Sequence, residues 1–368
     1  MRVAQVLAGL GAGGAEKLVL HLSVWLQREG HEVEVVNIYP DTTLLPQFEG
    51  AGIRVHNLRL TPYLSQWYPG ALARYLKRFR PDVVHCHNTA WLKSAVACRW
   101  THTPCVFTLH SYHEAWLSQH CRRLKWAAAA TDYVVGVAPG IDRLMVEILG
   151  VPPERALYIR NGVADIYQPE PPPPEWNATV SAAARVVGMV GRFDGKYKDQ
   201  ATLVRAFSQV SAKVEGVHLV FIGDGPGRAQ VESLARKLGL ESRVHFLGMR
   251  QDVPVLLHAL DVFVLSSNVE GESLAILEAM SAQRPIVATD VGGNSILLDG
   301  GRCGILIPPR DPHALAEAIL ELLTNREKAQ QLAHNARQRF LEHFTIDAMG
   351  RRYLEVYEQA IARQRGET

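Results

Sequence analysis

Several groups of residues in this chain have the types and spacing that chemistry requires. The first is Gly9-Leu10-Gly11-Ala12-Gly13-Gly14, which follows an apolar run and precedes an amphipathic one. Glycines let a backbone approach a ligand closely, and the helix N-terminus that follows favours an anion. The spacing matches G-x-G-x-x-G, so a dinucleotide-dependent dehydrogenase is one reading. That reading wants an acid at the end of the second strand to hold a ribose, and the strand ends Val35-Val36-Asn37-Ile38 instead. A glycine loop that approaches a phosphate-bearing ligand fits better. A tight strand-to-helix turn alone accounts for one or two of the glycines, not four.

The second group is Gly191-Arg192-Phe193-Asp194-Gly195-Lys196-Tyr197-Lys198. A fixed guanidinium with an ammonium nearby, Arg192 with Lys198, can neutralise a diphosphate. The third runs from Glu270 to Glu278, with Ser273 expected as a helix N-cap, Gly271 allowing close backbone approach, and Glu278 in the second helical turn. Glu278 lies among Ala275, Ile276, Leu277, Ala279 and Met280, an environment in which an acid is costly unless it serves a purpose. The fourth is histidine-rich. His85 and His87 are expected on opposite faces of a strand, which argues against joint metal chelation, while His110 lies just past a strand and could face a ligand. His113 and His120 read as ordinary helical residues.

Such residues act only if the chain holds them at one edge. Short apolar runs alternate with amphipathic stretches nearly throughout. Strands are expected at 2–8, 32–38, 82–86, 105–108, 132–137, 186–190, 218–222, 243–247, 261–265 and 285–288, with helices such as 15–29, 70–79, 201–214 and 228–238. This alternation implies parallel sheets with right-handed crossovers, and the continuous apolar strands imply burial on both faces. Ligands of such sheets bind at the carboxyl ends of the strands, where the groups above lie. Five prolines within Gln168–Glu175 break the pattern and read as a stiff connector. Two doubly wound α/β domains are therefore expected, 1–168 and 185–344, joined by a proline-rich linker at 169–184. The helical tail, about 345–368, either caps the second domain or packs back on the first.

The 368 residues suit two domains, and a net charge of +2 does not suggest nucleic-acid binding. The five cysteines, Cys86, Cys98, Cys105, Cys121 and Cys303, include no C-x-x-C pair and read as reduced and buried, with zinc or disulfide roles disfavoured. No basic-then-apolar leader opens the sequence and no apolar run, such as 126–130, is long enough to span a bilayer, so a cytoplasmic protein is expected. The stretches Tyr75–Arg80 and Arg122–Trp126 mix basic and aromatic residues. Each reads as a solvated helix face or, alternatively, as a surface for anionic lipid.

Taken in order, these pieces resemble the retaining glycosyltransferases of the GT-B fold, family 4. The resemblance rests on Gly13-Gly14-Ala15-Glu16, Pro81-Asp82-Val83-Val84-His85-Cys86-His87, Thr108-Leu109-His110 and Arg160-Asn161-Gly162-Val163 in the first half. In the second half it rests on Gly191-Arg192-Phe193, Gly223-Asp224-Gly225-Pro226, the E-x7-E pair Glu270 and Glu278, Pro285-Ile286-Val287-Ala288-Thr289, Val291-Gly292-Gly293, Pro308-Pro309 and Asp311-Pro312. Ser273 stands where the family often has proline, Ile296 where it often has an acid, and Ala164 where it often has aspartate.

The resemblance implies two Rossmann-like domains facing each other across a cleft that closes on a nucleotide-sugar donor. Glu278 would accept hydrogen bonds from the donor ribose. Arg192 and Lys198 would bind the diphosphate and stabilise the leaving group in place of a metal, so no metal or cofactor is expected. The backbone at Ser273 and Leu274 would hold the same phosphates, with Gly13 and Gly14 approaching from the other domain. Glu270 and His110 would contact the donor sugar, and Gly248–Arg250 would line the base pocket. The implied reaction is a hexosyl-type transfer from a UDP-sugar, with GDP- or ADP-sugars as alternatives. The sugar would pass with retained configuration to a hydroxyl of a saccharide or glycolipid acceptor, in cell-surface polysaccharide synthesis. A GT-B epimerase and a non-catalytic nucleotide-sugar-binding protein are the alternative readings.

Overall fold

A computed structural model of the chain describes residues 1–11, 13–60, 69–110, 121–167, 171, 173, 176, 180 and 184–367. The chain divides into two compact units, Met1–Gly162 with Ile346–Thr368, and Val163–Thr345. Ala12 of the glycine loop, most of the proline-rich connector, and His113 and His120 lie outside the described residues.

In the first unit the strands are β1 (Arg2–Leu7), β2 (Glu32–Asn37), β3 (Arg54–Asn57), β4 (Val83–His87), β5 (Cys105–Leu109), β6 (Tyr133–Gly136) and β7 (Ala156–Tyr158). They form one sheet in the order β3-β2-β1-β4-β5-β6-β7, and every pairing is parallel. Strand order reverses at β1 and β4. The central strands are buried along nearly their whole length, as covering a parallel sheet on both faces requires. The closing helix Ile346–Arg365 belongs to this unit and buries Met349, Tyr353, Val356, Tyr357 and Ala360.

In the second unit β8 (Arg185–Val190), β9 (Val217–Ile222), β10 (Val244–Phe246), β11 (Val262–Leu265), β12 (Ile286–Thr289) and β13 (Ile305–Ile307) follow. Their order is β10-β9-β8-β11-β12-β13, again all parallel. The reversal falls between β8 and β11. The core that covers this sheet includes Phe207, Phe221, Phe263, Leu277 and Phe340, together with Trp176 and Val180 from the few described residues near the connector.

All ten expected strands occur, each within about a residue of its expected ends. Three further strands, β3, β7 and β13, are four residues or fewer and lie at sheet edges. An edge strand packs on fewer neighbours, so its residues carry a weaker apolar run.

Candidate functional site

Beyond β8 the chain forms a loop organised by Asp194, whose Oδ1 accepts from the backbone N–H groups of Lys196, Tyr197 and Lys198 at 2.9, 2.7 and 3.2 Å. The loop then runs against the residues that follow β11. Asn268 N–H donates to Tyr197 O at 2.7 Å, Asp199 N–H donates to Ser266 O at 3.0 Å, and Lys198 bridges Ser267. Asp199 next caps the helix Gln200–Lys213 through Thr202 N–H at 3.1 Å. The segments beyond the two strands flanking the reversal are thus stitched together by backbone. In an open parallel sheet this crevice is the expected ligand position.

Two expected site residues meet there. Lys198 Nζ forms an ion pair with Glu270 Oε1, and Ser267 Oγ donates to the same carboxylate oxygen at 2.6 Å. Both charged side chains are mostly enclosed, at 16% and 11% exposure. The ammonium expected to meet a diphosphate is therefore already partnered by the carboxylate expected to meet the sugar. Arg192 lies two residues beyond β8, exposed, with its carbonyl accepting from Gln200 Nε2 at 2.9 Å.

The backbone of Glu270 is braced by the loop after β12. Gly292 adopts φ +55°, and a Cβ there would lie 1.9 Å from Glu270 O. Gly293 N–H donates to Gly271 O at 2.8 Å. Only glycine fits Gly292, for conformation and for space alike. Thr289 completes the brace by accepting from Ser267 N–H at 3.0 Å and donating to Ser267 O at 2.9 Å.

Ser273 stands at the N-cap of the helix Leu274–Ser281, but its side chain makes no capping hydrogen bond. The expected position holds and the expected capping bond does not. Glu278 lies in the second turn, partly buried. Arg250 follows β10 at the same sheet edge and makes a two-pronged pair with Asp252, at 2.8 and 2.7 Å.

The first unit carries the glycine loop and the histidines. Gly13 is the N-cap of the helix Gly14–Arg28. A Cβ on Gly13 would lie 2.2 Å from Glu16 Oε2, and one on Gly11 would lie 3.0 Å from Asp41 Oδ2. The loop's glycines thus accommodate two of the chain's own carboxylates. Burial, with a contribution from Asp41, pushes the Glu16 carboxyl above its usual range.

His110 follows β5, with its N–H donating to Asn88 Oδ1 at 3.1 Å. Its Nε2 lies 2.9 Å from His87 Nδ1, and burial lowers its pKa to about 3. The expectation that His85 and His87 point to opposite faces is wrong. Residues two apart on a strand share a face, and the two rings lie 4.1 Å apart, tilted at 48°. Among the described residues no group of three or more His, Cys, Asp or Glu could hold a metal ion.

No role is read from the sequence for Ser267 or Gln5, and Gly292 enters there only within Val291-Gly292-Gly293. For Gln5 a signal existed, since an amide stands inside the apolar run Arg2–Leu7.

Two family models match most of the chain between them, Glycosyltransferase Family 4 over residues 12–165 and Glycosyl transferases group 1 over 184–325. Among curated relatives, the lipopolysaccharide core biosynthesis glycosyltransferase LpsE of Rhizobium meliloti is 27% identical, across 94% of this chain and 95% of that protein. Glycogen synthase of Mycobacterium tuberculosis is 26% identical, across 96% and 92%. Among solved structures, Anabaena HepE in complex with UDP and glucose superposes with a TM-score of 0.82 at 23% identity, over 97% of this chain and 99% of that one. WaaG, a glycosyltransferase involved in lipopolysaccharide biosynthesis, gives 0.73 at 18%, over 96% and 99%. The chain is a GT-B glycosyltransferase and belongs to the group 1, family 4 glycosyltransferases.

Proposed function

We propose that this glycosyltransferase takes its sugar from a UDP-sugar and transfers it, with retention of configuration and without a metal, to a hydroxyl of a saccharide or lipid-linked saccharide in cell-surface polysaccharide synthesis. The observation that carries the reading is the Lys198–Glu270 pair at the reversal of the second sheet, with exposed Arg192 two residues beyond β8. Arg192 and Lys198 supply fixed positive charge for a departing diphosphate, which is most effective when organised before charge develops. Glu270 accepts from sugar hydroxyls while holding Lys198 in place. Glu278 takes the ribose hydroxyls, and Ser273 and Leu274 offer backbone N–H groups at a helix start. In the first unit Gly13 and Gly14 offer the same at the start of Gly14–Arg28, and His110 contacts the sugar. Solved neighbours holding UDP, UDP with glucose, and UDP-glucose support the choice of nucleotide.

A thermal-shift screen of UDP, GDP, ADP and their sugar conjugates tests this. A ligand that binds only the native state raises the melting temperature. UDP and a UDP-sugar should do so, and Arg192→Ala or Glu278→Ala should abolish the shift. A response to GDP or ADP alone would reassign the donor.

For a lipid-linked acceptor we propose contact with anionic membrane through the helix Cys121–Ala129. Arg122, Arg123 and Lys125 are exposed there, and Trp126 is 45% exposed. Tyr75 and Phe79 are buried, so the other mixed segment presents no aromatic surface. Among the described residues no helix is long and apolar enough to cross a membrane. Flotation with phosphatidylglycerol vesicles at low salt should retain the protein and should fail for Trp126→Ala.

A further inference from the structure

A line of buried polar side chains crosses the apolar interior of the first unit. Gln5, His85 and Thr108 lie on the adjacent strands β1, β4 and β5, with Gln5 in register with His85 and His87 in register with Thr108. All four are at most 1% exposed, as are Tyr353 and Tyr357 of the closing helix. Polar groups so placed are costly unless their hydrogen bonds are satisfied. Here the bonds form one continuous chain that starts at His110.

Its direction is fixed by one residue. An amide oxygen only accepts and an amide nitrogen only donates. Gln5 Oε1 lies 2.7 Å from His87 Nε2, so His87 carries its proton on Nε2. Burial lowers the pKa values of His85, His87 and His110, so each ring is neutral and carries one proton. His87 Nδ1 must then accept, and the donor 2.9 Å away is His110 Nε2. On the other side Gln5 Nε2 donates to Tyr357 Oη at 3.3 Å, and Tyr357 Oη lies 2.7 Å from His85 Nδ1. His85 Nε2 lies 2.7 Å from Thr108 Oγ1, which in turn lies 3.1 Å from Tyr353 Oη.

We infer that Gln5, held by Tyr357, is a positioning residue that fixes His110 as the Nε2–H tautomer and so makes its Nδ1 a hydrogen-bond acceptor. The group His110 recognises must then donate, as a sugar hydroxyl does and a phosphate or carboxylate oxygen does not. The functional half of this inference rests on the reading of His110 as a donor-sugar contact; the tautomer itself does not.

Histidine labelled with nitrogen-15 tests it, because protonated and unprotonated ring nitrogens differ in shift. The His110 signals are assigned by their loss in His110→Ala. Wild-type protein without ligand should show His110 protonated at Nε2 alone. Gln5→Met frees His87 to reverse, and Tyr357→Phe lets the Gln5 amide turn over, so either should bring His110 to a mixture of tautomers. Turnover should fall on the order of tenfold, the worth of one hydrogen bond at the reacting sugar, while the UDP thermal shift stays unchanged. Tyr357→Phe is nearly isosteric and serves if Gln5→Met does not fold. A wild-type His110 protonated at Nδ1, or an unchanged tautomer in the folded variants, overturns the inference. A changed tautomer with unchanged turnover removes His110 from sugar recognition, whereas loss of the UDP shift in Arg192→Ala tests the donor site separately.

Discussion

Lys198 and Glu270 form an ion pair beyond the two strands, β8 and β11, between which the order of the second sheet reverses. The pair stands on backbone that is tied from both sides, by Asn268 N–H to Tyr197 O and by Gly293 N–H to Gly271 O. Position and rigidity therefore come from the fold, and the charges are held before any ligand arrives.

Removing either partner should separate catalysis from stability. Lys198→Met leaves an enclosed carboxylate without its cation, and Glu270→Gln leaves the cation without its anion. Each single change should cost roughly 1–3 kcal/mol in stability. The double variant should recover much of that, because a buried pair is about neutral against uncharged side chains of like volume. Transfer should remain depressed by about a hundredfold in all three. Denaturant unfolding and initial rates, measured side by side, check it.

Gly292→Ala should act on the site from outside it. The added methyl meets Glu270 O, and alanine is also strained at φ +55°. A stability loss of about 1–3 kcal/mol is expected, with a weakened UDP-sugar thermal shift. A variant that binds donor normally would show that the brace does not position Glu270.

Arg192→Ala should be nearly silent in stability, within about 0.5 kcal/mol, since the side chain is exposed. The UDP-dependent shift should nonetheless disappear. Arg192→Lys should restore it only in part, because an ammonium cannot match the planar fork.

Charge stabilisation by side chains should make transfer insensitive to metal removal. Rates after exhaustive EDTA dialysis should equal those with added magnesium. A rate that returns only with the ion would assign the diphosphate to a metal.

Acid should unfold the first unit. Burial depresses the pKa of His110 to about 3 and of His21 to about 4, and holds His85 and His87 well below the usual 6.5. Below pH 6.5 the unfolded chain takes up protons that the folded one refuses. Stability is therefore full above that pH and lost as pH falls toward the folded values, by up to about 1.4 kcal/mol per pH unit for each such ring. Protection of amides in β1, β4 and β5, corrected for the slower intrinsic exchange in acid, should fall as pH drops below about 6.5.

By itself the sequence determined the two doubly wound sheets and which loops carry the chemistry. Continuous apolar runs between amphipathic stretches admit little else, and the carboxyl ends of such strands are fixed by chain direction. Arg192, Lys198, Glu270 and His110 were legible as candidates for that reason. Only the tertiary structure decided which of them meet. Lys198 and Glu270 are far apart in sequence, and their pairing depends on β8 and β11 becoming neighbours. Gln5 reaches Tyr357 for a like reason, since the closing helix packs in the unit that begins the chain. The bond that orients an imidazole comes from whatever residue folding brings within about 3 Å, and spacing along the chain does not encode it.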